Sequence, residues 1–233
     1  MKLQDFLIIA LIVVLFAPFI LSKQIFNIYE IFNHEHGMVT SFIKFAILAT
    51  LGESIGLRIK KGVYNQVGFG LLPRAIVWGF LGLTIAMSFQ IFATGTPSFL
   101  EYLGMSNASK TMTEAFSIKK LLVAFSISAA MNLIYAPVMM TLHKITDIHI
   151  INGGGSLSGF FRPVKFGEIM STLNWDIQWN FVFKKTIPLF WIPAHTITFL
   201  LSPDYRVLFA AFLGIMLGIL LATASIKSDN TNK

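Results

Sequence analysis

The stretch KKTIPLFWIPAHTITFLLSPDYR, residues 184–206, is apolar enough to enter a bilayer, yet it carries Pro188, Pro193, His195 and Pro203. Backbone groups in hydrocarbon must be satisfied within the protein, so prolines and an imidazole there require neighbouring helices or water. In a helix through Pro193, His195 shares a face with Trp191, Thr198, Phe199 and Ser202. Pro193 offers no N–H to the carbonyl of Leu189, and a kink is expected there. His195 is therefore expected to be a neutral, hydrogen-bonded imidazole, with Thr198, the Leu189 carbonyl or Asn132 as its partner.

The whole chain reads the same way. Of 233 residues, 55% are hydrophobic and only 12% are charged, too few to coat a soluble globule. The net charge of +7 accompanies no nucleic-acid motif, and its lysines and arginines flank apolar runs, as loop charges of membrane proteins do. Cysteine is absent, which excludes disulfides, thiolate metal sites and a cysteine nucleophile.

Six apolar segments approach the ~20 residues a crossing helix needs: 5–22, 38–57, 71–93, 119–142, 183–201 and 205–226. Lys44 and Glu53 interrupt the second and the prolines the fifth, so four to six spans are expected. The fold class is thus all-α, a polytopic membrane helix bundle forming a single integral-membrane domain over 1–233. Residues 5–22, which lack a small-residue cleavage site, are read as a retained extra span. The connection 143–179 is read as a long loop, its Gly153–Gly155 run as a flexible hinge. Phe166, Ile169, Met170 and Leu173 within it mark an amphipathic helix on the inner leaflet.

Placing Arg58, Lys60, Lys61, Arg74, Lys144, Arg162, Lys165, Lys184 and Lys185 inside puts both termini on the cytoplasmic or matrix side. A bacterial plasma membrane is the favoured location, an organelle inner membrane the alternative. Helices in lipid associate through small residues, and three stripes supply them. These are Ala75, Gly79, Gly82 and Ala86; Ala211, Gly214, Gly218, Ala222 and Ser225; and Gly52 with Gly56. The partners implied are the lipid bilayer, a second copy of the chain through such stripes, and a small polar solute, with no nucleic acid.

Glu53 lies inside a span, where a carboxylate costs about 2.5 kcal/mol or more unless paired. Arg74 is its expected partner. Asn132, in the fourth span ahead of Pro137, also needs one. Glu53, Asn132, His195 and Thr198 are accordingly the candidates for a polar pathway, against the simpler reading of helix-to-helix bonds. His34, Glu35 and His36 do not share one face of a helix or strand, so no metal is expected there. No cofactor motif, paired carboxylates or nucleophile elbow is present, and the chain does not read as an enzyme.

The order Trp191, Pro193, His195, Phe199, Pro203, Tyr205, Arg206 resembles the signature of the Mpv-seventeen and peroxisomal-membrane-protein-twenty-two family. Gly52-Glu53, Arg74 before a glycine-rich span, and Ala136-Pro137 fall in the same order. The resemblance covers roughly 39–224 and implies a small multi-pass protein that forms a channel or modulates permeability. His195 stands where that family has glutamine, Thr198 where it has asparagine, and Met131-Asn132 where it has an acidic-glutamine pair. The span 5–22 has no counterpart there. These departures point to a distant, bacterial relative. The function expected is a small channel or transporter-like protein for a polar solute. The alternative is a non-catalytic scaffold in which every polar residue serves packing, and a third reading is a membrane-embedded enzyme with Glu53 or His195 as base.

Overall fold

The computed structural model describes residues 3–231. Among them the protein is helical throughout, 84% by residue, with no strand. Four helices are long and apolar enough to cross a membrane: α1 (Leu3–Leu21), α3 (Gly37–Lys61), α4 (Leu71–Tyr102) and α6 (Ile118–Asn152). The molecule is a membrane protein built as a helix bundle.

The chain divides into two compact units, residues 1–40 and 41–233. In the first, α1 leads through Ser22 into α2 (Lys23–Glu35), a helix where the sequence suggested a loop. Ser22 caps α2 by accepting the Ile25 N–H, satisfying one of the donors every helix start leaves open. Phe19 meets Tyr29 edge-on, and Thr40 donates to the Asn33 side chain at 2.9 Å. His34, Glu35 and His36 are exposed at the end of α2.

The second unit is centred on α6, which packs most extensively on α4 and on α10 (Ile192–Leu200). Short helices α5 (Ala108–Thr111), α7 (Leu157–Phe160), α8 (Phe166–Thr172) and α9 (Trp175–Ile177) connect the long ones, and α11 (Pro203–Thr231) follows α10. Along α6, Ile127, Ser128, Met131 and Asn132 are buried, while Leu133 and Ile134 are 63% and 65% exposed. The polar residues point inward among apolar ones, and the outward face is apolar, the arrangement a lipid solvent selects. Of the stripe that begins at Ala211, the side chains of Ala222 and Ser225 lie outside the described ones.

Three expectations change. The fourth span does not stop at Leu142. The helix continues through Asn152, because His143, Asp147 and His149 turn toward protein rather than water. The amphipathic helix forms as α8, but Ile169 and the following Leu173 pack on Ile145 of α6 and leave Phe166 of that face exposed. The glycine run is no flexible hinge. Gly155, at φ +69°, lies so close to Gly68 and Gly70 that a Cβ would stand 2.7 Å from the Gly68 carbonyl carbon and the Gly70 nitrogen. Gly153 and Gly159 likewise meet backbone to backbone. Only glycine allows both the left-handed conformation and the approach.

The fifth segment also departs from a kinked α-helix. Gln178–Trp191 winds as a π-helix and passes directly into α10. Pro188 has no N–H to give in either winding, and in an α-helix its ring would also press on the carbonyl of Lys184. The wider winding uses the carbonyl five residues back instead, as when Ile192 N–H reaches the Ile187 oxygen. Such windings are rare and concentrate at functional sites.

Candidate functional site

Two buried polar sets sit on the α6 scaffold. The first joins α3, α4 and α6. Arg74 Nη1 donates to both Glu53 Oε2 and Asp147 Oδ1, its Nε donates to the Phe69 carbonyl at 2.7 Å, and its plane lies over the Phe69 ring at 4.5 Å. The other Glu53 oxygen accepts Trp78 Nε1 at 2.9 Å and faces His143 Nε2 at 3.0 Å. The Trp78 and His143 rings lie 4.4 Å apart. Glu53 is thus saturated by three groups, and Arg74, only 7% exposed, by three acceptors. That is the condition under which buried charge is tolerated.

Glu53, His143 and Asp147 place ligand atoms within 4.8 Å of one another, close enough to surround a metal ion. The guanidinium of Arg74 already bridges the two carboxylates. The cation this cluster needs is built into the chain.

The second set joins α6 to α10. Asn132 Nδ2 lies 2.8 Å from the Ser128 carbonyl and 3.0 Å from His195 Nδ1, nearer than the 3.2 Å separating that ring nitrogen from Asn132 Oδ1. The amide and the imidazole are thus hydrogen-bonded through Nδ1, which donates or accepts according to the ring's tautomer. Ser128 Oγ donates to the Ile192 carbonyl at 2.7 Å, one of the oxygens around the proline-bearing turn. Trp191 stacks on His195 at 5.1 Å, and Phe89 meets it edge-on. Of the three partners considered for His195, Asn132 is the one it has. Thr198 is fully buried, but its hydroxyl turns back to the Ala194 carbonyl and lies outside the cavity described below.

The remaining residues of the 191–206 pattern are structural. Pro193 opens α10 and Pro203 opens α11. Phe199 is buried against Phe89. Arg206 donates to the Leu201 and Phe199 carbonyls, left open where α10 ends, and lies over the Phe199 ring. It pairs with backbone and not with Glu53.

Both sets open on one cavity of about 330 Å³. Its walls come from α3 (Phe45, Ala49, Glu53), α4, α6 and the π-helix, with His195 of α10 and Ala210, Gly214 and Gly218 of α11. Tyr135, bonded to Thr84 at 2.7 Å, also lines it. Glu53, Asn132 and His195 are brought together here as the sequence suggested, and Arg74 is the partner of Glu53. His143, Asp147, Trp78 and Gln178 were not singled out. For two of them the signal was an imidazole and an acid four residues apart, His143 and Asp147, just past Leu142; Trp78 and Gln178 carried none.

These features define a membrane-embedded helix bundle that holds a neutralised charge cluster and an internal cavity. No protein-family model, no curated protein and no solved structure matches the chain.

Substituting Asn132 by leucine removes the amide that bonds His195 Nδ1 and leaves that nitrogen without it in a desolvated position. A loss of about 1–3 kcal/mol is expected. His195→Gln, which can still bond the Asn132 amide, should lose less. Thermal unfolding in detergent orders the two; equal stability of Asn132→Leu and the parent would show that the pair contributes nothing.

Proposed function

We propose that this is a small channel or transporter-like membrane protein that modulates permeability to a small solute bearing polar groups. The observation that carries the reading is the cavity of about 330 Å³ within the bundle, which touches both polar sets at once. The cavity is partly open rather than a sealed void in the core, so a solute can enter it. The resemblance of residues 191–206 to a permeability-modulating family supports the same reading.

The scaffold reading rests on the small-residue stripes, and two of these are consumed inside the chain. Gly79 faces the Phe42 ring, Gly82 faces Ser41 and Phe45, and Gly52 faces Ile215. They are not free to bind a partner.

Gly214 provides the test. It lines the cavity, and a Cβ there meets nothing within 4 Å. Gly214→Leu should fold and place its side chain in the void. In proteoliposomes the parent is expected to raise release of small uncharged solutes above empty vesicles, and Gly214→Leu to return it toward the empty-vesicle rate. Equal release by parent, variant and empty vesicles across a range of solute sizes would end the proposal.

A further inference from the structure

The cavity's walls have a consistent chemistry. Phe45, Phe89, Met131, Met139, Met140 and Phe181 supply an apolar, deformable lining. Methionine and aromatic side chains of this kind accommodate irregular apolar bodies. The acceptors that reach it are already used: Glu53 takes hydrogen bonds from Arg74 and Trp78, and the Asn132 amide is held by Ser128 and His195. Two lining residues each carry a buried nitrogen with no partner among the described residues, the Trp191 indole nitrogen and the Gln178 amide nitrogen. Gln178 is only 7% exposed, so water outside the bundle does not satisfy it. Both atoms are donors. They stand at the two ends of the π-helix, on the element whose prolines force the unusual winding.

Buried donors without acceptors are uncommon in folded proteins and call for an unseen partner. That partner must bring oxygen acceptors. A net anion fits poorly, because Arg74 is committed between two carboxylates, Lys144 on the rim is exposed, and the lining carboxylate of Glu53 repels negative charge. A cation finds Glu53 already saturated.

We propose that the cavity binds a neutral, membrane-soluble molecule with an apolar body and a carbonyl oxygen, which accepts a hydrogen bond from Trp191 Nε1 or Gln178 Nε2. The inference rests on the cavity being the place a solute occupies, and it narrows the solute to this class. The carbonyl has two sources in a membrane, the ring of a quinone or the ester of an acyl lipid.

The test is equilibrium binding to the purified full chain in nanodiscs. The probes are a decyl-substituted benzoquinone, monooleoylglycerol, and decanoate as an anionic control, with Trp191→Phe, Gln178→Leu and Gly214→Leu compared by calorimetry. Circular dichroism confirms the fold of each. At least one neutral probe is expected to saturate, and the benzoquinone or the glyceride alone saturating assigns the ring or the ester. Decanoate should bind at least ten-fold more weakly. At least one of Trp191→Phe and Gln178→Leu should weaken binding about ten-fold, the effect of one lost hydrogen bond, and Gly214→Leu should abolish it. Saturation by neither neutral probe, tighter binding of decanoate, or unchanged affinity in both Trp191→Phe and Gln178→Leu would overturn the inference. Saturable binding in a protein that leaves vesicle permeability unchanged removes the transport reading and sustains this one; solute flux without binding of either carbonyl probe does the reverse.

Discussion

Replacing Arg74 by alanine should cost about 3–5 kcal/mol of stability, the largest single loss expected from a charge substitution here. The guanidinium bridges Glu53 on α3 and Asp147 on α6, and its removal leaves two carboxylates face to face. His143 reaches the far oxygen of Glu53 at 3.0 Å and cannot replace a group that touches both acids. Arg74→Lys should recover only part of the loss. An ammonium is a point charge and cannot hold the Phe69 carbonyl through Nε while bridging the acids through Nη1. The triple variant Glu53→Gln, Asp147→Asn, Arg74→Gln removes the repulsion and should be more stable than Arg74→Ala. Thermal unfolding in detergent, followed by circular dichroism, ranks all three. Arg74→Ala melting together with the parent would refute this account of the cluster.

Gly82→Leu should prevent the second unit from folding. A Cβ at this position stands 2.7 Å from the Phe45 Cβ and 2.8 Å from the Ser41 carbonyl oxygen, so the obstruction includes backbone that cannot swing aside. Overpacking typically costs about 1–3 kcal/mol where side chains can move, and a clash with a neighbouring helix backbone exceeds that range. Gly79→Leu is less severe, since the Phe42 ring it meets is the end of a rotatable side chain. Yield of monodisperse protein after detergent extraction separates the three glycines. Gly82→Leu should give none, Gly79→Leu a reduced amount, and Gly214→Leu the parental amount. Parental yield from Gly82→Leu would mean that α3 and α4 do not approach this closely.

The apolar runs announced the bundle, and the cost of an unpaired carboxylate in lipid announced the Glu53–Arg74 pair. Asn132 and His195 were both legible as side chains needing partners, and each is the other's. Asp147 and His143 were hidden by the rule that found the rest. Lys144, Thr146 and Asp147 lower the local hydropathy and place the end of the span at Leu142, whereas the helix runs ten residues further with His143, Asp147 and His149 turned inward. Hydropathy averages over a helix's circumference and does not record which face a charge occupies. The π-helix was invisible for another reason. Pro188 and Pro193 show that the α ladder must break, but only the surrounding packing decides between a kink and a wider coil. Arg206 carries its charge near a predicted span end, yet the break between α10 and α11 gives it carbonyls to bind, and no acid is involved.

Insertions, reporter tags and cleavage sites are ordinarily placed in glycine-rich connections, on the assumption that such segments yield. In this protein the choice would be wrong. Residues 153–159 fold back on themselves at Gly153 and Gly159, and Gly155 presses on the Gly68–Gly70 turn, whose Phe69 carbonyl holds Arg74. An added residue at that crossing would be transmitted through the turn to the guanidinium and so to three helices. The turn after α4, exposed at Leu103 and Ser106, offers the better position for a label. The segment that composition marks as the most pliable in the chain is the fastening point of its charged core.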